Sequence, residues 1–554
     1  MAALQWTALS AAPTVLLALA IIMPIIMVVN LTRRLFSNAS LPNSLPWVGT
    51  GHYTGIRGRA KANLSSVLNL RGLLDEGYTK YSKNGQTYVL PYFINGPQVI
   101  LPMSQIGWLL EQPDDVLSQE QVNRQFLQAD YTFLHANLVN DPVHPEIIHH
   151  QLTKKINSFA DDIADEMRAS LEDNWGTDTE AWREVDVYDT MRDVTTRLST
   201  RVFMGLPLCR NRRFLTACSS FIRQVVLAAA AISLFPEVLK PVVAPVFTLY
   251  DYIQYRRCST YLMPIIRERL DRLRDTDKPT LGESKSPNDY VQWAIDHALA
   301  KPVVNPMELD PRVIACRFSV LSFAAIQSSV ITLTNTLFDL AASPMCTATL
   351  SQLHDEVARE IGAASTSNTT TTTSTTTTTP SSSTWSKPTL SRLTHTDSAL
   401  RESLRLNGFI ERGIMKMVVA PGGVTLPDGS HIPRGTKVGV SGYCVHHDDD
   451  VYTDALRYDA FRFARDSTGG GGGGGGKKPP WGLVNTSETF MGFSHGLHAC
   501  PGRFFAANQL KTALGHIALL YEIEPIPERP VNKWFFGHIA PPLGEKLRIR
   551  RRKS

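Results

Sequence analysis

The stretch "MGFSHGLHACPGRFFA" (Met491–Ala506) sets one cysteine, Cys500, between glycines and flanks it with phenylalanines. No second cysteine stands at zinc-ribbon spacing. A lone thiolate survives at neutral pH only where positive charge or hydrogen-bond donors hold it. A large flat ligand on such a sulfur needs the backbone close by, which favours glycine on both sides. Phe493, Gly496, His498, Cys500, Pro501 and Gly502 together read F-x-x-G-x-H-x-C-P-G. Chance would produce that pattern in about one chain of this length in a hundred thousand. The bland alternative, a buried structural thiol, explains neither the glycines nor the histidine.

On these residues the sequence resembles the cytochrome P450 family of haem-thiolate monooxygenases. The resemblance implies haem b with Cys500 as axial thiolate and sole protein metal ligand, Phe493 packed by the sulfur and His498 at a propionate. Gly496 and Gly502 would bring the backbone to the ring, and the helix after Gly502 would favour the thiolate with its N-terminal dipole. Upstream, "SALRESLRLNGF" holds Glu402 and Arg405 three apart, on one helix face. "YDAFRFARD" holds Arg462. By resemblance these three form a buried charge network under the haem-binding core, although Ala460 and Phe461 depart from the family's usual proline and acid. The oxygen-activating groove falls on "AAIQSS", Ala324 to Ser329. Ser328 keeps a hydroxyl there, while Gln327 replaces an acid with an amide that cannot ionise. His144, His149, His150 and Lys154 lie where family members place a propionate-binding helix; a plain helical surface is the alternative.

The N-terminus speaks of location. No charged side chain precedes Arg33, and Ala11 to Val29 are 19 residues with almost no polarity. As a helix they reach about 28 Å, close to the hydrocarbon thickness of a bilayer. A cleaved signal peptide would need a basic leading region, which is missing. The pair Arg33–Arg34 follows the apolar run and keeps the rest of the chain on the cytoplasmic face. Residues 1–34 are therefore expected to be a single-pass anchor in the endoplasmic reticulum membrane, with residues 35–554 forming the catalytic domain. Seven cysteines, odd in number and without a C-x-x-C pair, fit a reducing compartment. A net charge of +5 from 56 basic and 51 acidic residues is too even for a nucleic-acid partner. The basic end "KLRIRRRKS" reads as a solvated tail or a contact for an acidic partner or anionic lipid.

The body reads as mainly α with a smaller β-rich region. A central helix over Cys316 to Pro344 is apolar nearly all round; Gln327, Asn335 and Asp339 argue against a second membrane span. "VVLAAAAISLF" (Val225 to Phe235) is too short to span and reads as core or as a surface dipping into lipid. "GGVTLPDGSHIPRGTKVGV" reads as a hairpin about its D-G turn. Two low-complexity loop insertions are expected, a threonine tract at 365–386 and a glycine run at 467–480. "HHDDD" (His446 to Asp450) reads as a solvated turn rather than a metal site.

The resemblance implies an enzyme that oxidises a lipophilic secondary metabolite, a terpenoid in this reading. It would use dioxygen and electrons from NADPH through a cytochrome P450 reductase. Ile326, Val225 to Phe235 and "FGHIAPP" (Phe536 to Pro542) would line the substrate. Two rivals keep the haem: desaturation or rearrangement, encouraged by Gln327, and oxidation of a polyketide. A third, from another class, is a membrane-tethered haem-binding protein without turnover.

Overall fold

The computed structural model describes residues 24–36, 40–53, 55–275, 287–370, 384–409, 412–466, 482–535 and 538–553. Most of the expected span, 1–23, and the glycine run at 467–480 lie outside the described residues. The chain falls into two compact units.

The first unit gathers residues 1–132, 225–249 and 415–441. Its sheet has five strands in the order Tyr88–Leu90, Gln98–Ile100, Lys437–Gly439, Met415–Val418, Leu117–Ser118. The pairing of Gln98–Ile100 with Lys437–Gly439 is parallel, Val99 opposite Val438, and the others are antiparallel. Tyr88, Val89, Leu90, Val99, Ile100 and Val438 are all buried, as strands covered on both faces must be. Helix Leu70–Lys80 lies so close to the sheet that a Cβ on Gly77 would sit 2.2 Å from the Tyr88 ring. The hairpin forms as its D-G turn requires, Val424 pairing with Ile432. Residues 24–36 are helical, and their polar side chains clasp the 233–235 segment. Arg34 donates to the carbonyls of Ser233 at 2.8 Å and Ile94 at 2.5 Å, and Asn30 to that of Leu234 at 3.0 Å.

The second unit, residues 133–224, 250–414 and 442–554, is the helical body. Its main helices are α1 (Ala160–Trp175), α2 (Val187–Met204), α3 (Pro311–Ala341), α4 (Cys346–Thr370), α5 (Thr394–Asn407) and α6 (Arg503–Leu520). α3 packs between α2 and α5, and α6 packs on α1 and α4. α3 starts five residues before the expected Cys316, because Asp310 caps it by accepting the Arg312 N–H and Pro311 pre-sets its first turn. By length and composition α3 and the helix Arg212–Ser233 could each cross a membrane. Residues 225–233 of the apolar run form the C-terminal part of that 22-residue helix, so the run is one piece of a longer element. α3 is a core helix, buried along most of its length.

The polar residues near its C-terminal end are bonded inside the protein. Asp339 accepts from Ser403 at 2.6 Å and from Asn407 at 2.8 Å and pairs with Arg529, while Asn335 donates to the Asn407 carbonyl at 2.7 Å. These bonds lock α3 to α5. A buried pair, Arg197–Glu166 at 2.6 Å, does the same for α2 and α1.

Two readings of the loops change. The threonine tract begins inside α4, which runs to Thr370, and Trp385 is buried and stacked on His516 at 4.1 Å. The basic C-terminus is no loose tail: Lys546–Arg551 is a strand between Arg183–Asp186 and Tyr521–Ile523. Its arginines are paired, Arg550 with Glu522 at 2.6 Å and Arg551 with Glu172 at 3.1 Å.

Candidate active site

Phe493, Gly496, His498, Cys500 and Gly502 share one loop that leads into α6. Its folding is local. Cys500 donates its N–H to the Phe493 carbonyl at 2.9 Å, Ala499 to Gly496 at 3.1 Å, and Ser494 to Met491 at 2.8 Å. Gly496 turns the chain at φ +78°, a left-handed conformation that glycine adopts without strain. At Gly492 a Cβ would come within 2.7 Å of Leu404 on α5, so the loop's first turn sits directly on the E-x-x-R helix.

Cys500 stands at the mouth of α6, its carbonyl accepting the Arg503 N–H at 3.3 Å, and the Gly502 and Arg503 amides lie close enough to the sulfur to favour its charged form. Burial pushes the thiol above its ordinary value; those two amides and the Arg503 charge pull it down. Arg503 also donates through Nη1 to the Cys500 carbonyl at 2.9 Å. The other six cysteines are buried, and Cys500 alone is half-exposed. Among the described residues no group of three or more His, Cys, Asp or Glu could hold a metal ion. A lone thiolate can then hold iron only if a macrocycle brings the remaining ligands. A Cβ built on Gly502 meets no polypeptide atom within 4 Å, so protein packing alone does not require glycine there, whereas a flat group against Cys500 would. His498 is half-buried in the same loop.

Ser328 and Gln327 lie in the middle of α3. The helix is buried from Val313 to Ser322 and again from Ser329 to Ala341, but Phe323–Ala325 and Gln327–Ser328 open a window between. Ser328 donates its hydroxyl to the Ala324 carbonyl at 3.3 Å and accepts from Thr332 on its own carbonyl at 2.9 Å. Ile326 faces away from this window and is buried. α3 packs against α6. Among the described residues no hydrogen bond joins Ser328 or Gln327 to the cysteine loop. A half-exposed cysteine beside the amides that open α6, a glycine with open space next to it and a hydroxyl in the window of α3 fit a haem.

Glu402, Arg405 and Arg462 do meet. Glu402 takes Arg405 Nε at 2.8 Å and Nη2 at 2.9 Å, and on Oε1 also Arg462 Nε at 3.0 Å and the Asp459 N–H at 3.2 Å. The Glu402–Arg405 pair is wholly buried. Such a pair persists only when its remaining donors and acceptors are met. Here Arg462 gives Nη1 to the Thr453 carbonyl at 2.5 Å and Arg405 gives Nη1 to that of His446.

Two members of this network escape the sequence. His446, assigned to a solvated turn, is buried, and burial pushes its pKa down to about 3, so it stays neutral. Its Nε2 accepts the Met491 N–H at 3.0 Å, which ties the network to the first residue of the cysteine loop. Arg401 donates to the Gly482 and Asn485 carbonyls, both at 2.7 Å, and lies 3.6 Å from the Phe490 ring centre. His144 sits at the start of a short helix, His144–Ile147, with Nδ1 buried and without a partner; His149 and His150 are exposed.

Whole-sequence comparisons show the family. Residues 115–547 match the family described as Cytochrome P450. Cytochrome P450 monooxygenase polB of Polytolypa hystricis is 31% identical over 93% of this chain and 94% of its own length. Cytochrome P450 monooxygenase 151 of Postia placenta is 32% identical over 87% of this chain and 89% of its own. Cytochrome P450 monooxygenase htyF of Aspergillus rugulosus is 30% identical over 88% of this chain and 69% of its own. Against such relatives a haem-binding protein without turnover no longer stands as a reading. The family carries haem on a cysteine thiolate, and this chain belongs to it as a haem-thiolate monooxygenase of the cytochrome P450 family.

Proposed function

We propose that the chain oxidises a lipophilic secondary metabolite, a terpenoid, with Cys500 as the axial ligand of haem b. The observation that carries this reading is the cysteine loop itself, which closes from Cys500 N–H to the Phe493 carbonyl at 2.9 Å and sets the half-exposed thiol at the mouth of α6, beside the Gly502 and Arg503 amides. Amides fixed in that way favour a thiolate without needing to reorganise. When bound, the haem supplies dioxygen activation and oxygen insertion into a C–H bond. The protein's tasks are to hold and orient. Phe493 and Gly502 would stand beside the bound haem, His498 would hold one of its carboxylates, and Glu402, Arg405 and Arg462 keep the loop's scaffold rigid. Ser328 would offer the proton of its hydroxyl in the window of α3, and Gln327 would orient water there through its amide.

Electrons would come from NADPH through a cytochrome P450 reductase. The anchor reading, 1–34 in the endoplasmic reticulum membrane, is supported by exposed apolar side chains in the first unit. Ile25, Val28 and Val29 on the N-terminal helix are exposed, and Val242, Val246 and Leu249 form an exposed stripe at helical spacing. The basic pair divides its work in this reading: Arg33 is exposed towards headgroups, while Arg34 holds the 233–235 segment.

Feeding a panel of terpenes and polyketides to the protein with its reductase under ¹⁸O₂ tests the proposal. Label in a hydroxylated terpene supports it. A second reading, desaturation, is favoured by Gln327, and a product lacking both label and two hydrogens would establish it instead.

A further inference from the structure

Arg317 lies on α3 eleven residues before Ser328 and is 1% exposed. Among the described residues no acid pairs with it, and its Nε and Nη2 are buried without a hydrogen-bond partner. A guanidinium cannot shed its charge in a protein, and a buried cation lacking an anion is strongly destabilising. Two groups feel its charge among the described residues, His144 and Tyr290, and neither is an anion. The buried Nδ1 of His144 also lacks a partner, and Arg317 is near enough for its charge to disfavour protonation of that ring. With its pKa down at about 4, His144 is a neutral imidazole able to donate. Tyr290, the other group that feels the Arg317 charge, has its hydroxyl committed to the Ile314 carbonyl at 3.2 Å.

The helix period directs this pair along the face that carries Ser328. Eleven residues make about three turns, so Arg317, Leu321, Ala324 and Ser328 fall on one stripe, and Arg317 stands about 16 Å up the axis from Ser328. Along that stripe burial gives way to the open window at Ala324. This stripe of α3 therefore runs from a buried cation at Arg317 through buried apolar Leu321 to the open window, where Ala324 and the Ser328 hydroxyl lie.

We propose that Arg317, with His144 beside it, is an anion subsite that binds the carboxylate of a lipophilic acid and sets which carbon of it reaches the Ser328 end of the helix. The planar fork of arginine matches a carboxylate in two parallel hydrogen bonds, and a neutral histidine adds a third donor without a second charge. Leu321 and Ala324 present hydrocarbon to the body of the ligand. The inference rests on the reading of the chain as an oxidase of lipophilic metabolites and narrows its substrates to acids oxidised far from the carboxylate.

The test uses the full-length holoenzyme and paired probes that differ only in charge: abietic acid with methyl abietate, and palmitic acid with methyl palmitate. Calorimetric titration should show at least one acid binding about tenfold or more tightly than its ester, as a charge-assisted pair would give. Arg317→Gln should abolish that preference, Arg317→Lys should restore part of it, and haem content should stay at the wild-type level in both. No acid outbinding its ester, in the wild-type protein alone, overturns the subsite whether or not the variants fold. So does a fall in haem content in both variants with the acid preference intact, which would assign Arg317 to a haem propionate. Selective acid binding without any oxygenated product would sink the proposed function and leave the subsite standing. Equal binding with oxygenated terpene product would do the reverse.

Discussion

His446 accepts the Met491 N–H on its Nε2 at 3.0 Å while its own carbonyl takes Nη1 of Arg405. One residue thus links the buried Glu402–Arg405 pair to the start of the cysteine loop. His446→Phe keeps the ring's packing against Phe490 but removes the acceptor. It should cost about 1–3 kcal/mol and weaken haem retention. His446→Gln, whose side-chain oxygen can take the same N–H, should cost less. Chemical denaturation of the holoprotein with haem absorbance as the probe checks the order, and equal losses in the two variants would remove His446 from this role.

Glu402 is wholly buried and collects both arginines. Its replacement by alanine strands the buried Arg405 guanidinium and frees the partly buried Arg462, and should destabilise the fold by about 3–5 kcal/mol. Arg462→Ala should cost less, because Glu402 keeps the two bonds from Arg405. The expected result is little soluble holoprotein for Glu402→Ala and reduced but measurable haem incorporation for Arg462→Ala.

Asp251 is buried, and both of its carboxylate oxygens lack a partner. Burial raises its pKa from 3.8 to about 7. The folded value lies above the unfolded one, so the protonated acid favours the native state. That contribution is complete below pH 3.8 and is lost as pH rises towards about 7. Asp251→Asn should therefore raise Tm by about 2 °C or more at pH 8 and by progressively less towards pH 5. Melting curves across that range check it; a gain that grows with acidity would contradict it.

Ser328→Ala removes the hydroxyl from the open window of α3. Product formation should fall by about 10²-fold while NADPH oxidation continues, and Ser328→Thr should retain most of the activity. Measuring product and peroxide per NADPH in the same reaction separates this from a loss of reductase coupling.

What the sequence made legible is what lies close together along it. The ten residues from Phe493 to Gly502 fold on themselves, and Glu402 and Arg405 are one helical turn apart, so spacing alone reveals both. His446 and Arg401 depend on partners 45 and 84 residues away, at Met491 and Asn485. In "HHDDD" the acids suggested solvent, and nothing local records that His446 turns inward under Phe490. Trp385 was counted with the polar tract beside it, although a lone tryptophan after threonines and serines is itself a sign of returning core. Arg317 left a trace too: it is the one cation between Cys316 and Ala341 in an otherwise apolar helix.

The central claim is the bond from the Cys500 sulfur to haem iron. The direct measurement is the ferrous carbonyl spectrum of the purified protein beside that of Cys500→Ala. The account predicts a thiolate-ligated spectrum in the first and its loss in the second, with the remaining fold intact by circular dichroism. A spectrum of imidazole type in the wild-type protein, or a thiolate spectrum that survives in Cys500→Ala, would contradict it.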